Sequence, residues 1–139
     1  MVLGGEIGQA SAIKMCYAAL TKGLSALCTE LLTAAEVLGV SEALKREFQN
    51  SQPALFDRME RGLPRMLAKS RRWVGEMEEI SHTFGSVGLT PKIHAGAADV
   101  FRFVGETRLA DRQPEDPDPP PSLGEMLSVL AGELHKPPA

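Results

Sequence analysis

Gly5-Glu6-Ile7-Gly8-Gln9-Ala10-Ser11-Ala12-Ile13-Lys14 opens the stretch that decides the fold, because apolar residues keep helical spacing from here to Leu38. Small residues come first, then a lysine. The apolar positions are Ile13, Tyr17, Leu20, Leu24, Leu27, Leu31, Ala34 and Leu38. Their steps alternate four and three, the period of one helix face. At ~1.5 Å per residue, a helix over 7–38 is roughly 48 Å long, which exceeds the diameter of a small domain. The spacing therefore predicts a central spine contacted by several other helices.

Lys14 sits oddly on that spine. At about 100° per residue it lies close to Ala10, Ala18 and Thr21, and about 60° from Tyr17. Small neighbours leave room for a ligand to approach the ammonium. A lysine in a partly desolvated place can serve as acid, base or anion anchor. The plainer reading, which spacing alone favours, is a lysine snorkelling off the edge of an apolar face.

The string Gly5-x-x-Gly8-x-Ala10-x-x-x-Lys14 resembles the GxxGxGxxxK segment of the β-hydroxyacid dehydrogenases, with alanine at the third glycine. In that family the segment joins a nucleotide-binding domain to the long helix of the C-terminal domain, and the lysine is catalytic. The run Ser11-Ala12-Ile13-Lys14-Met15-Cys16-Tyr17-Ala18-Ala19-Leu20-Thr21-Lys22-Gly23 and the later run Arg71-Arg72-Trp73-Val74-Gly75-Glu76-Met77-Glu78-Glu79-Ile80 resemble one subgroup more closely. That subgroup is the C-terminal domain of phosphogluconate-dehydrogenase-like, NAD-binding oxidoreductases. The resemblance runs from Gly4 to about Leu109. It implies an all-α domain like the C-terminal domain of 6-phosphogluconate dehydrogenase, a hydroxyacid-like substrate, NAD or NADP in the complete enzyme, and Lys14 as the general acid or base. Gly5 and Gly8 in the segment, and Tyr17 beside Lys14, are the candidate substrate-binding residues. Two positions depart from the family. The asparagine that often follows the lysine by four is here Ala18, and the Lys-Asp pair of the second long helix is matched by Glu76 and Met77. Lys14 is thus the one catalytic assignment carried over.

A hydride-transferring enzyme also needs a dinucleotide site, whose fingerprint is G-x-G-x-x-G at a strand-to-helix turn. Gly4, Gly5 and Gly8 lack that spacing and follow no strand. No cofactor binding is expected of this chain alone. A nucleotide-binding domain is expected as a partner, in cis or as a separate chain, which makes this a fragment or a separately encoded half.

The chain has 139 residues, 43% hydrophobic and 24% charged, with a net charge of −3. That fits one soluble domain and gives no reason to expect nucleic-acid binding. Aromatics are 5%, so the core is aliphatic. Cys16 and Cys28 stand twelve helical positions apart, about 18 Å, too far for a bridge. They read as small core residues in a reducing compartment. No metal-ligand spacing links the histidines and cysteines. No basic segment precedes an apolar run, so no secretory signal is expected, and Lys14, Lys22, Glu30 and Glu36 argue against a membrane span along the spine. A cytoplasmic location is expected.

Taken in order, the spine should stop at Gly39 and Ser41 should cap a short helix with Leu44 and Phe48 inward. Pro53 starts a helix with Leu55, Phe56 and Met59 inward, which Gly62 should end and Pro64 restart. A second long helix then carries Leu67, Val74, Met77, Ile80, Phe84 and Val87 as far as Gly88, with Arg72 and Glu76 paired on its surface. Thr90-Pro91 opens a helix whose apolar side is Ile93, Ala97, Val100, Phe101 and Val104. The prolines and acids of 111–121 read as a solvated linker. Ser122 caps a last amphipathic helix with Leu123, Met126, Leu127, Leu130 and Leu134. The organisation is a helical domain over 1–110, the linker 111–121, and a terminal helix and tail over 122–139.

Among the remaining polar residues, Tyr17 fits the apolar stripe as core, Lys22 reads as solvated, Arg71 and Arg72 as a helix face paired with glutamates, and His82 and His94 as surface residues. The apolar surface on the spine, the second long helix and the terminal helix exceeds what a domain of this size covers. A homodimer is therefore expected, with the helix after Pro121 able to reach a partner chain. The rival to the enzyme reading is a stand-alone, non-catalytic helical dimerisation module.

Overall fold

A computed structural model of the chain describes residues 5–134. Among these, every regular element is helical, so the chain is all-α as its periodicity predicts. The helices are α1 (Gly5–Leu38), α2 (Ser41–Ser51), α3 (Pro53–Met66), α4 (Ser70–Ser86), α5 (Lys92–Gly105) and α6 (Leu123–Leu134). Single 3₁₀ turns occupy Leu67–Lys69 and Arg108–Ala110. Gly39 and Gly88 end α1 and the α4 turn with φ of 75° and 92°, a left-handed conformation that costs a glycine nothing.

α1 contacts each of the other five helices, which makes it the spine. The face it buries is not the leucine stripe. Ala26, Cys28, Thr29, Leu32, Thr33 and Ala35 are buried. The stripe stands in solvent instead: Ile13 is 70% exposed, Tyr17 69%, Leu20 63%, Leu27 60% and Leu38 73%. Leu24 and Leu31 are half-buried and touch the core at one side. Small side chains on the buried face let α5 and α6 come close, and its two threonines are satisfied along the helix. Thr29 Oγ1 donates to Ser25 O at 2.8 Å, and Thr33 Oγ1 donates to Thr29 O at 2.7 Å. Tyr17 and Ile93, expected in the core, are both exposed.

The other elements follow the sequence with some corrections, among them Leu67, which precedes α4, and Val87, which is exposed beyond its end. Helix α3 runs straight through Gly62 and Pro64. Pro64 forfeits one helical N–H bond, but it is buried in line with Leu63 and Met66, and the turn comes three residues later at Leu67–Lys69. Ser41 is the first residue of α2, behind Val40, and makes no capping bond. Helix α6 docks on α1 and α3 of its own chain, burying Leu123, Met126, Leu127 and Leu130. Leu134 at its end is exposed. Its N-terminus is a capping box as expected: Ser122 Oγ accepts from Glu125 N at 3.2 Å, and the Glu125 carboxylate accepts from Ser122 Oγ at 3.0 Å. No helix among the described residues is long and apolar enough to cross a membrane.

Candidate functional site

The bundle covers α1 unevenly. No residue of α1 from Gly8 to Ser25 is fully buried, and this half of the helix lies at the edge of the bundle, touching the core through Met15, Ala18, Ala19 and Leu24. Gly5 and Gly8 lie in the first turn of this half, and Lys14 and Tyr17 are exposed upon it. Lys14 makes no hydrogen bond or ion pair among the described residues.

Its direction is informative. At about 100° per residue, Lys14 lies within about 40° of Ala10, Ala18, Thr21, Ser25, Cys28 and Leu32. Thr21 and Ser25 are half-buried, and Cys28 and Leu32 are core. Lys14 therefore continues the core-facing side of α1 into a region that the bundle covers only in part: Met15 and Ala18 pack against the core, and Lys14 is exposed. Tyr17 sits toward the exposed stripe. The ammonium is thus exposed beside the folded body and open to solvent. Further along this side, α1 and α3 enclose a groove of ≈ 140 Å³ that includes Ser25, Cys28 and Arg58. Burial pushes the Cys28 thiol up from its ordinary value, and the Arg58 charge opposes the shift.

Lys22, expected to be solvated, is half-buried and paired. Its Nζ is 2.5 Å from Glu76 Oε1 on α4 and 5.2 Å from the centroid of the Trp73 ring. Arg72 Nε lies 3.8 Å from the other oxygen, Glu76 Oε2. This cluster ties α1 to α4 by an ion pair with a cation–π contact. Glu76 holds the α4 position where the family resemblance calls for a lysine, and the ammonium found there comes from Lys22 of α1. The sequence carries no signal for this pair, because its members are 54 residues apart.

The remaining candidates have structural partners. Arg71 Nε donates to Gly105 O at 2.8 Å and its Nη2 to Asp111 at 2.6 Å, which fastens α4 to the end of α5. His94, expected at the surface, is half-buried, with Nε2 3.1 Å from Ala19 O and its ring edge-on to Phe84 at 5.2 Å. His82 is exposed, and so is Cys16, which the sequence placed in the core. Among the described residues, no three His, Cys, Asp or Glu side chains are grouped to hold a metal ion.

Fold and site together define a helical domain whose long first helix presents an exposed lysine at the edge of its bundle. Residues 35–104 match the family described as a domain of unknown function, DUF1932, and the chain belongs to that family. The match covers α2 to α5, and Lys14 lies outside it. The crystal structure of a conserved hypothetical protein from Sinorhizobium meliloti 1021 is similar, with a TM-score of 0.73 and 27% identity. The similarity covers 90% of this chain and 41% of that one, so this chain spans less than half the length of its structural relative. No curated protein matches the sequence.

Proposed function

We propose that the chain is the helical, substrate-facing half of an NAD(P)-dependent oxidoreductase acting on a hydroxyacid-like substrate, with Lys14 as its acid or base. The observation that carries this reading is the placement of Lys14: it prolongs the inward side of α1 where the bundle covers the helix only in part, exposed and without a hydrogen-bond or ion-pair partner among the described residues. The residues around it are small, so a substrate can come against the ammonium and a second domain can close over it. The 27% identical relative, more than half of whose chain lies outside the match, leaves room for such a domain.

No part in holding the cofactor is assigned to the described residues of this chain. The glycines at 4, 5 and 8 lack the dinucleotide spacing, and the described residues contain no strand-to-helix turn to cradle a pyrophosphate. That task falls to the other domain. What this chain contributes is a proton, or a hydrogen bond, delivered by Lys14 Nζ to the substrate's carbonyl or hydroxyl oxygen.

Two measurements test the proposal. In the complete enzyme, Lys14→Ala is expected to lower kcat by about 10²–10⁴, the usual loss on removing a general acid or base. Helix content should not change, since Lys14 is exposed. Parental activity in that variant would remove the assigned role. Calorimetry of the chain alone should show negligible binding of NAD(H) and NADP(H). Micromolar binding would overturn the division of labour between two domains.

A further inference from the structure

Four helices, α1, α2, α3 and α6, meet over a pocket of ≈ 110 Å³ near the C-terminal end of α1. Glu36, on its rim, lies about 33 Å along the helix from Lys14. At ~30 Å³ per water, the pocket has room for about four waters, or for a ligand with a short methylene chain. Its floor is apolar: Leu32, Phe56, Leu123 and Leu127 line it and are buried. Its rim is charged, with Glu36, Glu42, Lys45 and Glu60 exposed.

These charges divide into two groups. Helix α2 begins at the pocket, and Glu42 in its first turn answers the positive end of that helix. Lys45 follows Glu42 by three positions and offsets its charge. Helix α6 also begins here, and Ser122 and Glu125 already cap it. Glu36 and Glu60 remain. They come from different helices, and neither makes a hydrogen bond or ion pair among the described residues. Glu36 stands in the last turn of α1, at the negative end of the helix dipole, which also favours a cation. Ser41, another lining residue, has its Oγ buried without a hydrogen-bond partner. A buried hydroxyl of this kind is rare, and it can accept an N–H from a ligand.

The occupant follows from this chemistry. Two carboxylates call for positive charge, the floor calls for methylenes, and the hydroxyl calls for an N–H donor. A bare metal ion does not meet these terms, since no three acidic, histidine or cysteine side chains among the described residues are grouped around one point. Two carboxylates from different helices over one apolar floor match a chain with an ammonium at each end. We propose that the pocket binds a short aliphatic diamine, with its methylenes on Leu32, Phe56, Leu123 and Leu127 and its ammonium groups at Glu36 and Glu60, one of them donating to Ser41 Oγ. The inference does not rest on the enzymatic reading, and either can fail without the other.

Calorimetric titration of the chain with 1,4-diaminobutane provides the test. Saturable one-to-one binding is expected, with a Kd of about a millimolar or lower. Butylamine, with one charge, should bind about tenfold more weakly, and butane-1,4-diol not at all. Glu36→Gln and Glu60→Gln change exposed side chains, so the fold should persist by circular dichroism. Together they should raise the Kd by at least about tenfold. Glu79→Gln, on the exposed side of α4, should leave it unchanged. In a nuclear magnetic resonance titration, the amide signals of Ser41 and Gly124 should move as the site fills. No saturation by about 10 mM diamine, equal binding of the diol, a parental Kd in the double variant, or signal changes confined to other parts of the chain would each overturn the proposal.

Discussion

Cys16 and Cys28 share one helix and differ in everything that governs a thiol. Cys16 is exposed, and Cys28 is buried beside Leu32 in the core. Desolvation raises the Cys28 pKa from 9.0, with Arg58 pulling the other way. A thiol-specific reagent at pH 8 should therefore modify Cys16 at once and Cys28 only as the chain opens, because the thiolate is the reactive form. The sign of the linkage follows. The folded value lies above the unfolded one, so the stability contributed by the protonated thiol is complete below pH 9 and is lost as pH rises through the folded value. Denaturant titrations at pH 8 and pH 10.5 should show the parent losing more stability over this interval than Cys28→Ala. Equal losses in the two would mean that Cys28 is not desolvated. The two lysines of the same helix show what a sequence can disclose at this scale. Lys14 was legible as an ammonium among small neighbours, because those neighbours are local. Lys22 was not, because Glu76 and Trp73 come from α4 and only the folded chain brings them to it.

At the scale of elements, periodicity located α1 to within two residues at its start and at Leu38 at its end, because a long helix is a local object. It did not say which side of α1 the chain covers. A helix apolar on one side and small on another offers two surfaces, and the partners decide between them. Here the small side, carrying Thr29 and Thr33, admits the neighbouring helices closely, and the leucines remain outside. Pro64 is a similar case. A proline reads locally as a helix boundary, yet its burial with Leu63 and Met66 keeps α3 intact to Met66. The capping residue of α6, by contrast, was legible, since Ser122 and Glu125 lie within one turn. Ser122→Ala should cost about 1 kcal/mol through loss of the bond to the Glu125 N–H. Thermal unfolding followed by circular dichroism measures this. An unchanged transition would mean that the cap is replaced by solvent.

At the scale of the whole molecule, the question is whether α6 is part of the domain or an appendage beyond a proline-rich linker. The linker is largely exposed, with Arg112 Nη2 donating to Asp118 O at 2.6 Å across it. The helix that follows is not exposed. Met126 and Leu130 are fully buried, Leu123 and Leu127 nearly so, and they join one core with Leu32, Phe56 and Met59. Burying four such side chains contributes roughly 6–12 kcal/mol at 1.5–3 kcal/mol each. A domain of this size has about 5–15 kcal/mol of net stability in all. Removal of residues 122–139 would cancel most of that and would uncover the apolar sides of α1 and α3 where α6 now lies. The truncated chain is therefore expected to lose cooperative thermal unfolding and to bind a hydrophobic dye. If the chain ending at Pro121 unfolded cooperatively near the parental midpoint, α6 would be an appendage and the core would close without it.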